Sequence, residues 1–238
     1  MALKDQLIEL VEYMQIQMIG FPNFLTKEQL EATGKVDSWS AKDNLFHCLF
    51  WAGNQLEILE TLEKGEKWQD PENNDFEVIN KDMFPQFESK SWEDGREMTE
   101  EKYQGVRNYL GRIDNDALQV IREERENPIW REILGMYVTH PMIHLWEQLT
   151  EAGKVDTVAD IFGDKYHEML LGLDDSDQFR GGVFYNQACL LALTDKLNEA
   201  ATVLGKALKL TPALIDWSKE DSDLDALREL PEFKALYD

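Results

Sequence analysis

Apolar positions recur every three or four residues through most of the chain, and no stretch alternates with the period of two that a half-buried strand needs. In the first segment Leu7, Leu10, Val11, Met14 and Met18 keep the helical spacing, which predicts an amphipathic helix over about residues 2–19, stopped by "GFPNF". After a loop through "ATGKVDSWS", Ser40 supplies an N-cap and Asp43 follows three residues later, opening a long second helix to about Lys64. "GEKWQDPENND" is polar and rich in breakers and predicts a loop, whereas "FEVINKDMF" predicts a short helical connector. A third long helix starts at Glu93 or Asp94 and reaches about Arg112, followed by a turn and one or two helical turns in "IDNDALQVI". The fourth starts near Pro128, whose fixed φ suits a first turn, and runs to about Glu151. Pro141 falls inside it. With no amide hydrogen to give, and a ring that clashes with the residue four back, it predicts a bend at residues 137–140.

Four amphipathic helices joined by short and long connections predict an all-α fold in which residues 1–152 form a four-helix bundle. "EAGKVD" reads as a junction to a second helical region, residues 153–238. There the pattern predicts one helix over 155–173, a separator in "DDSDQFRGG", and a hairpin of helices at 183–193 and 197–210 with its turn at 194–196. Ala188, Ala200 and Ala207, followed by Pro212, with Phe184, Leu191 and Leu204 at the larger positions, resemble one tetratricopeptide repeat, and the resemblance extends over about 179–238. One repeat cannot stack into a solenoid, so the segment either packs as a cap or offers a groove to a protein partner.

Charge narrows the choice of partner. The chain has 24 Lys and Arg against 47 Asp and Glu, a net charge of −23, and so repels phosphate backbones. Nucleic acid and anionic membrane are excluded as expected partners, and the acidity reads as solubility. Cys48 and Cys189 make no disulfide framework or zinc-binding spacing, which suits a reducing compartment. "MALKDQLIELVEYM" alternates charged and apolar residues too early for a signal peptide, and no run approaches the ~20 apolar residues of a membrane span. The expectation is a soluble, cytoplasmic protein.

The chemistry concentrates in "THPMIHLWE". His140 and His144 stand one turn apart, about 40° around the helix axis, and project side by side; Glu147, three residues on, shares their face. His47 lies in the second helix among Leu45, Phe46, Leu49 and Phe50, and bundle interiors build metal sites from facing helices. Three imidazoles with an open coordination position suit zinc, nickel or ferrous iron rather than magnesium or calcium. Spacing alone equally describes hydrogen-bonded core histidines, the commoner case. Asp43 is either an outer partner of the His47 ring or a capping acid, and Trp51 either a pocket wall or a core residue. His167, with no partner in sequence, reads as structural.

"WSAKDNLFHCLFW" resembles the W-S-x-K-D-x-L-x-H-x-x-x-W signature of DinB-like four-helix bundles, particularly the ClbS/DfsB-related subgroup. "PIWREILGMYVTHPMIHLWEQL" resembles its W-x-x-I-x-G stretch followed by T-H-x-x-x-H, and "INKDMFPQFESKSWEDGREMTEEKYQGV" its linker, so that the likeness covers about residues 1–150. This resemblance implies a divalent metal held by His47, His140 and His144. It further implies a transferase or hydrolase acting on a small electrophile, with a low-molecular-weight thiol or water at the open position and Glu147 as a proton shuttle. Two alternatives remain: a non-catalytic scaffold, forming a homodimer through its helices and binding a protein partner on the repeat-like tail, and a ClbS-like protective hydrolase that keeps the pocket without the metal.

Overall fold

A computed structural model describes residues 2–68, 75–123 and 125–237. Among these residues there is no strand, only isolated bridges at Lys35–Ser38 and Ile121–Pro128, and the fold is all-α. The chain divides into two compact units, residues 1–152 and 153–238. No helix among the described residues is long and apolar enough to cross a membrane. The loop expected at "GEKWQDPENND" lies partly outside the described residues.

In the first unit α1 (Leu3–Gly20) buries Leu7, Leu10, Val11, Met14 and Met18, the five residues that the periodicity selects. Each such side chain contributes roughly 1.5–3 kcal/mol by leaving water. A short helix, α2 (Lys27–Glu31), interrupts the predicted loop; Thr26 caps it and Gln29 completes the capping box. Ser40 and Asp43 do the same for α3 (Ala41–Glu63), as expected. Gly34 makes that cap feasible: a Cβ there would stand 1.9 Å from Asp43 Oδ2 and 2.6 Å from the Ser40 nitrogen. The connector is a full helix, α4 (Phe76–Phe87), and α5 (Trp92–Arg112) opens from Ser91 with a third capping box. After the single turn α6 (Asn115–Leu118) comes α7 (Ile129–Leu134), a π-turn at Gly135–Thr139, and α8 (His140–Glu151). α1 packs on α5 and α8, and α3 packs on the same two.

The bend expected from Pro141 takes the form of that π-turn, beginning at Gly135 rather than Tyr137. One extra residue per turn rotates everything downstream by about 100° relative to an uninterrupted helix. The turn is braced from both neighbours: Tyr103 Oη of α5 donates to the Tyr137 carbonyl at 2.9 Å, and Tyr137 Oη donates to the Ala52 carbonyl of α3 at 2.7 Å.

The second unit corrects two expectations. The helix predicted over 155–173 is broken at Gly163 into α9 (Val155–Phe162) and α10 (Asp164–Leu171). "DDSDQFRGG" is no separator: α11 (Asp177–Leu193) starts inside it and runs through Gly181 and Gly182. Gly181 is the point where the end of α12 (Leu197–Leu210) crosses, and a Cβ there would meet Thr211 Oγ1 at 2.1 Å. Ala188, Ala200 and Ala207 are fully buried along this hairpin. Asp195, at φ 61°, makes its turn, with the Lys196 amide bonding back to the Leu191 carbonyl at 2.9 Å. Short 3₁₀ segments, α13 (Ile215–Ser218) and α14 (Pro231–Lys234) complete the chain.

Candidate metal centre

His47 projects from the second turn of α3, and His140 and His144 from the first two turns of α8. The three rings meet edge to face with centroids 4.8, 4.9 and 4.9 Å apart. His140 Nε2 stands 2.9 Å from His47 Nε2 and 3.1 Å from His144 Nε2. Ligand atoms of all three lie within 4.8 Å of one another, so the three form a group able to hold a metal ion.

Proton bookkeeping decides what this geometry is for. A neutral imidazole nitrogen carries one in-plane site, either an N–H or a lone pair. His140 Nε2 therefore serves one of its two close neighbours as a hydrogen bond and faces the other lone pair to lone pair or hydrogen to hydrogen. A cation between the three nitrogens removes the conflict by accepting every lone pair. Two imidazoles on a tetrahedral zinc at about 2.0–2.1 Å hold their nitrogens about 3.3 Å apart, close to the separations here.

Electrostatics agrees. Burial, reinforced by His140 and His144, lowers the His47 pKa to about 3, with a weaker contact to the Asn80 side chain opposing. Burial and then His144 lower that of His140 to about 4, and burial lowers that of His144. All three rings are thus neutral near pH 7, the form that ligates. Their Nδ1 atoms are buried and have no hydrogen-bond partner among the described residues. Glu147 Oε2 comes within 3.6 Å of His144 Nδ1, the ring nitrogen facing away from the other histidines.

A cavity of about 420 Å³ opens over the group, lined by His47 and His140 with Trp51, Asn80, Met136 and Ile143 among its walls. Trp51 is a wall and not a plain core residue: it is half-buried, and its Nε1 donates to Asn80 Oδ1 at 3.1 Å. Asp43 is a capping acid, its carboxylate taken by the Ser40 amide at 2.8 Å and the Ser40 hydroxyl. His167 is buried away in the second unit, with Nδ1 on the Gly163 carbonyl at 3.0 Å. Sequence reasoning missed Trp39, whose ring lies 4.8 Å from that of His47. It also missed a second group with ligand atoms, Cys189, Asp221 and Asp223. There Asp221 Oδ2 already accepts from Tyr185 Oη at 2.7 Å, Trp217 Nε1 at 3.2 Å and Cys189 Sγ at 3.9 Å, which is a structural knot of the second unit.

No protein-family model, curated protein or solved structure matches the chain.

Proposed function

We propose that the first unit is a metal-dependent transferase or hydrolase of the DinB-like kind, acting on a small electrophile. The observation that carries this reading is His140 Nε2, placed within 3.1 Å of two other ring nitrogens when its chemistry satisfies only one. A divalent ion held by His47, His140 and His144 would supply Lewis acidity, lowering the pKa of a thiol or water bound there.

The chain's own residues do the rest. His47, His140 and His144 hold the site; Trp39 covers one face of the His47 ring, and Trp51 and Met136 give the cavity an apolar wall that excludes water around a bound electrophile. Glu147, its Oε2 3.6 Å from His144 Nδ1 and so beyond direct hydrogen-bond reach, is the acid placed at the outer edge of that ring to shuttle protons. Burial pushes the thiols of Cys48 and Cys189 far above the ordinary range, so neither offers a thiolate, and a low-molecular-weight thiol has to enter from solution. A scaffold would fill the space over the histidines with side chains; the open cavity supports chemistry instead.

The test is a panel of small electrophiles incubated with zinc-supplemented protein and a low-molecular-weight thiol, with adducts and hydrolysis products read by mass spectrometry. Product formed above the protein-free rate and abolished by His140→Ala is expected. No turnover across the panel would turn the reading over to the scaffold alternative.

A further inference from the structure

Among the described residues no charged side chain lines the cavity over the histidines. Trp51, Phe76, Met136 and Ile143 supply its apolar part, and Phe76 and Ile143 are 65% and 48% exposed. In a chain of which 30% of the residues are charged, an uncharged wall carrying two large exposed apolar side chains is a surface that a ligand of the same character would cover.

The polar groups on these walls are few, and most are committed. His47 and His140 belong to the candidate metal centre. Thr139 Oγ1 donates to the Gly135 carbonyl at 3.3 Å, within the π-turn. The remaining polar side chain of the lining is Asn80 of α4, which is half-buried.

Asn80 is held by its oxygen. The indole Nε1–H of Trp51 can only donate, so the amide end 3.1 Å from it is Oδ1, and the orientation of the carboxamide is settled. The contact of Asn80 with His47 favours the protonated ring, as an acceptor does and a donor would not. Nδ2, with its two N–H groups, therefore has no protein partner among the described residues and is open to solvent.

Such a lining selects against both ends of the polarity scale. A carboxylate or phosphate would lose its water with no side-chain cation on the wall to replace it. A pure hydrocarbon would strip water from Nδ2 and leave it unpaired. An uncharged, largely apolar molecule with one acceptor oxygen avoids both costs.

We propose that the cavity selects uncharged, apolar carbonyl compounds, and that Asn80 is its specificity-determining residue, donating from Nδ2 to the carbonyl oxygen. That the bound carbonyl compound is also the electrophile that reacts rests on the transferase or hydrolase reading; the selectivity rests on the walls alone.

The full chain, with one equivalent of zinc and after chelation, is titrated by ligand-observed NMR with acetophenone, with benzoate and with ethylbenzene. The three keep the ring and change the carbonyl to a carboxylate or to no acceptor. Zinc content and circular dichroism are measured on the same samples. Saturable binding of acetophenone is expected, with benzoate at least about tenfold weaker in the zinc-free form. Asn80→Asp keeps an oxygen for Trp51 and turns the donor end into an acceptor. It should weaken acetophenone at least about fivefold more than it weakens ethylbenzene, the scale of one lost hydrogen bond. Asn80→Leu, uncharged and of similar size, should shift that ratio the same way. No saturation by about 10 mM acetophenone, benzoate bound as tightly, or an unchanged ratio in the folded Asn80 variants would overturn the proposal. So would a carbonyl preference that appears only with zinc and survives both substitutions, because the ion and not Asn80 would then hold the oxygen. Protein that takes up no zinc yet keeps the Asn80-dependent ratio defeats the metal reading alone; zinc uptake with a ratio independent of Asn80 defeats this inference alone.

Discussion

The hydroxyl of Tyr103 donates to the backbone carbonyl of Tyr137 at 2.9 Å, between two side chains with no exposed surface. Tyr137 is four residues before Pro141, so its carbonyl is the one that the proline cannot serve with an amide hydrogen. α5 thus repairs the helix from outside, at the π-turn that sets the rotation of His140 and His144. Tyr103→Phe should cost about 1–3 kcal/mol in denaturant unfolding, the penalty for a buried carbonyl left without a donor, and should weaken zinc binding as well. Unchanged stability and unchanged zinc affinity would show that the tyrosine merely fills space.

The depressed histidine pKa values fix the sign of a pH effect in metal-free protein. Above about pH 6.5 the three rings are neutral whether the chain is folded or not, and contribute no pH dependence. As pH falls below that, the unfolded chain takes up protons that folded His47 and His140 refuse until about 3 and 4, so stability is lost on acidification. The slope approaches roughly 1.4 kcal/mol per pH unit for each titrating ring. Denaturant titrations at pH 8, 6.5 and 5 should show a level region and then a fall, and His47→Gln should flatten the fall. An equal slope in that variant would assign the effect to carboxylates.

Arg122 and Glu132 form a nearly buried ion pair, so removing one partner strands the other. Glu132→Ala should destabilise the first unit by about 3–5 kcal/mol, while a paired Arg122→Met and Glu132→Leu change should recover most of that. A cost below 1 kcal/mol for the single variant would mean that water already screens the pair.

Gly181→Ala should destabilise by about 1–3 kcal/mol, because its Cβ would lie 2.1 Å from Thr211 Oγ1, whereas Gly182→Ala should not, since nothing lies near its Cβ position. Equal thermal midpoints for the two variants would remove the close crossing as the reason for glycine.

That pair of glycines also shows where the sequence misleads. Read locally, "RGG" is a break; in the fold Gly181 makes room for α12, a contact thirty residues away that no local rule carries. Gly163 does the opposite, breaking a helix across which the apolar spacing continues undisturbed. The buried face of α1 was fully legible because burial there follows periodicity alone. α2 was not read: its one signal is the Thr26 and Gln29 spacing of a capping box, and it is too short to show a period. The three histidines could be listed from spacing, yet their convergence depends on a π-turn whose brace comes from α5.

The central claim is that His47, His140 and His144 hold one transition-metal ion. Elemental analysis of protein purified without a metal-affinity tag, beside His47→Ala, His140→Ala and His144→Ala variants checked for folding by circular dichroism, tests it directly. The account predicts about one equivalent of zinc, nickel or iron in the parent protein, native or after reconstitution, and near-complete loss in each variant. Less than about a tenth of an equivalent in the parent, unmoved by added zinc or nickel and by any of the three substitutions, would contradict it.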